Sequence, residues 1–471
     1  ADNVYSPIRT ISGPPYFMTA WRIWRMGTWY EKGIFYHMYP LGMTGAPKHN
    51  DATEVTNRFE ELDKWISHIR SLGANAIYIG PLFESTSHGY DTRNYKQTDR
   101  RLGSNEDFRH FISLCHENGI RVVVDGVFNH TGREFFAFKD IQEKKWDSPY
   151  KDWYKGVNFD WSSPLGDPFG YEAWQGHFEL PCLNHANPQV CRYLFDVIRF
   201  WVDTFDIDGI RLDCANVLDF HFMEEMRRET KTIKEDFWLM GEVIHGDYGR
   251  WVNDHMLHSV TNYELHKSIY SGFNDHNFFE IAHNVRRLEA IGRSLYTFVD
   301  NHDEDRIASK LRTKEHLLPV YTCLMTLPGI PSIYYGGEWG IEGKRTPSCD
   351  DALRPAISPD AFDSLRCTLT DRISKLGIIH QENEELHMGR YQELLLTNRQ
   401  YAFARHGEHS LIITALNNDD NEAVLNIPVP MAASQAVNLL EDGEILPIRD
   451  GKLQITLKGC DGAVLKIKGE S

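Results

Sequence analysis

Residues 209–213 read Gly-Ile-Arg-Leu-Asp, a short apolar β-branched run that ends on an acid. Seven other runs share its apolar character. They are Gly33-Ile34-Phe35-Tyr36, Asn75-Ala76-Ile77-Tyr78-Ile79, Arg121-Val122-Val123-Val124-Asp125, Phe237-Trp238-Leu239-Met240-Gly241-Glu242, Ser259-Val260-Thr261-Asn262-Tyr263, Leu295-Tyr296-Thr297-Phe298-Val299 and Ile330-Pro331-Ser332-Ile333-Tyr334-Tyr335. Each gives way to a polar or glycine-containing stretch and then to a helical pattern. Continuous apolar strands alternating with helices predict a parallel sheet covered on both faces. Eight such units predict closure into a (β/α)8 TIM barrel, an α/β fold.

Spacing places the irregularities. A barrel of this kind spends about 31 residues on each strand–helix unit. One unit separates Asp213 from Glu242 and two separate Glu242 from Asp303, but the step from Asp125 to Asp213 is nearly three units long. An insertion after the third strand is therefore expected, over 132–184, where Trp153, Tyr154, Phe169, Tyr171 and Trp174 are among a dense set of aromatic residues. This stretch reads as a self-packed aromatic subdomain, and some of its rings are also candidates to line a groove in which sugar faces stack. Beyond 384 the pattern changes to short strands such as Leu411-Ile412-Ile413-Thr414-Ala415-Leu416, separated by turns such as Asn417-Asn418-Asp419-Asp420. That alternation predicts a C-terminal antiparallel β-sandwich domain over 385–471. The barrel is expected over 28–131 and 185–384, with 1–27 a leader or extension outside it.

Composition narrows the partners. The 471 residues carry a net charge of −17, and 41% are hydrophobic and 12% aromatic. An acidic surface repels phosphate backbones and anionic lipid heads, so neither nucleic acid nor membrane is an expected partner. No stretch reaches the roughly 18 consecutive apolar residues of a membrane-crossing helix. The eight cysteines form no CxxC pair and read as thiols of a reducing compartment, which points to the cytoplasm.

Acids stand at or just beyond the carboxyl ends of the third, fourth, fifth and seventh strands: Asp125, Asp213, Glu242 and Asp303. Those ends share the one mouth at which barrel active sites are built. Mutual repulsion makes such a cluster costly unless function retains it. Arg211 and Asp213, two apart on one strand, point the same way. Alone they would read as a core ion pair; with the other acids they read as a nucleophile kept ionised by a cation. Glu242, close to other anions, is expected to hold its proton and act as general acid. Two carboxyl groups with opposed tasks are the equipment of glycoside hydrolysis.

The runs Asp125-Gly126-Val127-Phe128-Asn129-His130, Gly209-Ile210-Arg211-Leu212-Asp213, Gly241-Glu242-Val243 and Phe298-Val299-Asp300-Asn301-His302-Asp303 resemble the four short motifs of the α-amylase family, glycoside hydrolase family 13. The resemblance extends from about residue 30 to the C-terminus and implies a barrel, an inserted domain B and a C-terminal domain C. It implies Asp213 as nucleophile, Glu242 as acid/base and Asp303 as the third carboxylate. It also implies Arg211 as the partner of the nucleophile and His130 and His302 as ligands of sugar hydroxyls. His88-Gly89-Tyr90 resembles the segment whose tyrosine stacks under the same sugar, and Asp350 with Arg354 resembles a further pair in contact with it. Asp125 and Asn129 are implied as structural support.

Leu180-Pro181-Cys182-Leu183-Asn184, Asn187-Pro188 and Phe205-Asp206-Ile207-Asp208-Gly209 resemble the cyclomaltodextrinase, neopullulanase and maltogenic amylase group, as does Ala215-Asn216. That group carries an N-terminal β domain to which the resemblance here does not extend. The implied reaction is retaining hydrolysis of α-1,4-linked maltooligosaccharides or cyclodextrins; a transglycosylase or a silent sugar-binding barrel are the rivals. Many family members also bind calcium. Asn129 matches the first ligand position, while Asn184 and Val217 stand at the other two, so no required cofactor is expected.

Overall fold

The computed structural model describes residues 28–469, so the expectation for 1–27 lies outside the described residues. Eight strands form one parallel sheet: β1 (Phe35–Met38), β2 (Ala76–Ile79), β3 (Arg121–Gly126), β4 (Gly209–Leu212), β5 (Trp238–Gly241), β6 (Ser259–Val260), β7 (Tyr296–Thr297) and β8 (Ile330–Tyr334). They hydrogen-bond in the order β6-β5-β4-β3-β2-β1-β8-β7, and a parallel bridge from Thr261 to Tyr296 joins the two ends into a barrel. Each predicted run supplies a strand. The sixth is shorter than its run because the chain turns away early: the Asn262 side chain accepts from Leu265 N (3.0 Å) and opens a helix at Tyr263.

The two faces of the strands are apolar for different reasons. Phe35, Tyr78, Val123, Trp238, Met240 and Tyr296 fill the interior as one cluster. Tyr36, Ile77, Val122, Ile210 and Leu239, the alternate positions, belong to the larger core beneath the helices. Side-chain period two fixes this division, and it has a consequence for chemistry. Carrying the inner parity toward the carboxyl ends brings Asp125, Arg211, Asp213 and Glu242 into the mouth.

The helices are set by their ends and stripes. Helix α1 (Asn105–Glu117) begins with a capping box in which Ser104 and Asp107 bond each other's backbone. Helix α2 (Pro188–Phe205) has Asn187 as N-cap and Pro188 in its first turn, and buries Val190, Leu194, Val197, Ile198 and Trp201. Trp201 stacks on Phe83 with ring centroids 4.2 Å apart. No helix among the described residues is long and apolar enough to cross a membrane.

Between β3 and β4 the chain forms a short helix (Phe136–Lys144) and a small hairpin (Ala173–Trp174 with His177–Pro181). The Phe138 ring lies 5.0 Å from Tyr171 and 5.4 Å from Phe169. Buried Asp167 ties the segment together by accepting from Arg133, Gln142 and Ser163 at 2.6 Å each and from Tyr171 at 2.9 Å. Most of these rings are thus spent on packing each other, while Trp174 lies 6.1 Å from the His130 ring.

The helix α3 (Leu317–Thr326) leads to β8, and the chain beyond the barrel makes an eight-stranded antiparallel sheet. Its strands are β9 (Arg390–Leu396), β10 (Gln400–His406), β11 (Ser410–Asn417), β12 (Ala423–Pro428), β13 (Gln435–Asn438), β14 (Glu444–Arg449), β15 (Lys452–Leu457) and β16 (Asp461–Lys468), in the order β9-β10-β11-β16-β13-β14-β15-β12. Ala404, Leu411, Ile413, Leu453 and Leu465 form its own core. Tyr401, Phe403, Ile412 and Val464 join the core of the barrel instead. Buried Arg405 crosses the seam, donating to Thr326 O (2.9 Å) and Gly389 O (3.0 Å).

Candidate active site

Strand register assembles the center of the mouth. Asp125 on β3 lies abreast of Arg211 on β4, and Leu212 pairs with Gly241, which sets Asp213 beside Glu242. Arg211 is 3% exposed and donates to Asp125 Oδ1 (2.8 Å) and Asp213 Oδ1 (2.9 Å) through Nη1, while Nη2 lies 2.9 Å from Glu242 Oε1. The sequence reading gave this cation to Asp213 alone; the structure shares it among three acids. Its guanidinium also lies over the Tyr78 ring, whose hydroxyl donates to Asp125 Oδ2 at 2.7 Å.

One carboxyl oxygen of Asp213 and one of Glu242 lie within 4.8 Å of each other. Burial, the largest influence, pushes the Glu242 carboxyl up to about 7, with Asp213 and Asp303 adding to the rise and Arg211 opposing it. The expected direction holds, but loss of water outweighs the neighboring anions as its cause. Burial likewise raises Asp125 to about 6 against the pull of Arg211.

Asp303, half-buried, lies six residues past β7. Its Oδ1 accepts from Arg354 Nη2 at 3.0 Å, and Arg354 also donates to Asp350 (3.3 Å) and to the His302 carbonyl (3.0 Å). The Asp350–Arg354 pair is therefore both a loop ion pair and a brace for Asp303. His302 Nε2 lies 2.5 Å from the Tyr90 hydroxyl and 3.1 Å from Asp303 Oδ2, and its ring stacks on Tyr90 at 5.8 Å. His88 stands at the edge: its Nδ1 accepts from the Tyr90 N–H at 3.2 Å and its ring is part-exposed.

The buried atoms His130 Nε2 and His302 Nδ1 have no protein partner. Burial holds both imidazoles below their usual range, hence neutral and able to meet a hydroxyl as donor or acceptor. A buried polar atom without a protein partner is unusual, and a ligand hydroxyl is one partner that would satisfy it.

The residues at the calcium positions do not fit that ion. The Asn129 amide nitrogen is engaged with His130 Nδ1 at 3.1 Å. Asn184 spends its oxygen on Ala186 N and its nitrogen on the Asp152 carbonyl, and Val217 is exposed. Calcium takes several oxygens with carboxylates among them, and none of these three positions supplies one.

Four residues escaped the sequence reading. Tyr78 and His37, whose rings stack 4.2 Å apart, line the inner wall; the alternation that marked Arg211 could have found them. Tyr39 lies under Arg354, 4.6 Å from ring to guanidinium, and no local pattern distinguishes it. Cys214 follows the nucleophile candidate directly.

Comparison with known proteins agrees with this geometry. The model of the α-amylase catalytic domain matches residues 62–385. A cyclomaltodextrinase of Thermoanaerobacter pseudethanolicus is 31% identical over 423 residues, which span 84% of this chain and 72% of that one. A maltogenic α-amylase of Bacillus acidopullulyticus is 31% identical over 474 residues, spanning 94% and 79%. A solved cyclomaltodextrinase superposes with a TM-score of 0.82 at 25% identity, covering 93% of this chain and 78% of its own. With its barrel, its antiparallel C-terminal sheet and its four acid-bearing motifs in order, this chain belongs to the α-amylase family of glycoside hydrolases.

Proposed function

We propose that this chain cleaves α-1,4-glucosidic bonds in maltooligosaccharides, cyclodextrins or related α-glucans by double displacement. Glu242 gives its proton to the glycosidic oxygen while Asp213 attacks the anomeric carbon and forms a glycosyl ester. Water, deprotonated by Glu242, then displaces Asp213. Asp303 and the two histidines meet sugar hydroxyls, and Tyr90 offers a ring face to the sugar. Carboxyl groups suffice for every step, so no cofactor enters.

The observation that carries this reading is the approach of Asp213 and Glu242 to within 4.8 Å. So short a separation leaves no room for a water between Asp213 and the anomeric carbon, which favors a covalent intermediate and retention. The relatives named cyclomaltodextrinase and maltogenic α-amylase support the substrate class. The eight unpaired cysteines, Cys367 exposed among them, support the cytoplasm as location. Proton NMR of the first products from maltotriose or a cyclodextrin tests the mechanism: α-anomers are expected, and initial release of β-anomers would overturn it.

A further inference from the structure

Four carboxyl oxygens belong to Asp213 and Glu242, and two residues account for all of them. Arg211 takes Asp213 Oδ1 and Glu242 Oε1. Cys214 takes the others: its N–H donates to Glu242 Oε2 at 3.0 Å and its thiol to Asp213 Oδ2 at 3.2 Å. Among the described residues no other side chain donates to Asp213 Oδ2. Cys214 manages both because its backbone is left-handed (φ 50°, ψ 37°), a conformation few side chains adopt without cause. Only 7% exposed and flanked by two acids, the sulfur keeps its proton, since burial and then Asp213 and Glu242 push the thiol far up.

We propose that Cys214 is a positioning residue for Asp213: its thiol holds the oxygen that Arg211 leaves free, keeping it aimed until the sugar arrives. This rests on Asp213 being the nucleophile. When the ester bond forms, the charge on Asp213 disappears and its lone pair passes to the anomeric carbon, so the donor must let go. A thiol is a weak donor and releases at little cost, whereas a hydroxyl would hold harder. Arg211, Glu242 and His130, with Asp125 behind the guanidinium, are the other titratable groups facing Asp213, and substitution at 214 leaves them all in place.

The test compares kcat/KM against pH on maltotriose for the native chain, C214S and C214A, with Tm beside it. Loss of the donor in C214A moves the acid limb up by roughly half a pH unit. The stronger donor in C214S moves it down by a similar step. The alkaline limb stays, because the bond to Glu242 comes from the backbone. Coincident acid limbs, or both limbs moving together as in a general loosening, overturn the proposal. C214S, nearly the same size as cysteine, carries the test alone if C214A does not fold. D213N separates the two layers: turnover by D213N sinks the nucleophile assignment, while an inactive D213N with coincident acid limbs sinks Cys214 alone.

Discussion

Glu242 is an acid kept protonated by dryness against the pull of a nearby cation. A raised carboxyl is competent below its own value and loses its proton as pH climbs past it. Protonated-acid activity is therefore complete in mildly acidic solution and falls as pH rises through about 7. We expect kcat/KM for maltotriose to decline about tenfold per pH unit above that limb. With α-maltosyl fluoride, whose leaving group needs no proton, the same decline should be absent from the first step. An alkaline limb of equal steepness on both substrates would remove Glu242 from the acid role.

Strands place these residues, and one glycine shows how tightly. A Cβ on Gly209 would meet the Trp238 carbonyl oxygen at 2.5 Å, so β4 and β5 cannot keep their spacing around a larger residue. Gly209→Ala should destabilize the barrel by about 1–3 kcal/mol. It should also lower kcat, since Arg211 lies two residues downstream; unchanged urea unfolding and unchanged kcat would refute this. The strands were readable because each is a dense apolar run, and the acids because three of those runs end on one and a fourth has one just beyond. What escaped depended on neighbors distant in the chain. Nothing near Asn262 announces that its amide turns a strand into a helix, nothing near Tyr39 says that Arg354 will cover it, and the partners of Arg211 follow from register between three strands.

At the scale of the whole molecule the barrel and the C-terminal sheet share a core. Arg405 lies in their seam as a cation held only by carbonyl oxygens, and burial lowers its pKa to about 9. Arg405→Ala strands those carbonyls without donors, at a cost of about 1–3 kcal/mol for each. We expect Tm to drop by several degrees with kcat at 25 °C unchanged, because the seam is remote from the mouth; an unshifted melting curve would show that the bolt carries no strain. The β-strand side chains that reach across, Tyr401, Phe403, Ile412 and Val464 among them, have a wider implication. Trimming the chain after the last barrel helix would leave oily surface facing water on the catalytic half. The tail is thus an outer wall of the enzyme, and a shortened chain should clump before it turns over any substrate.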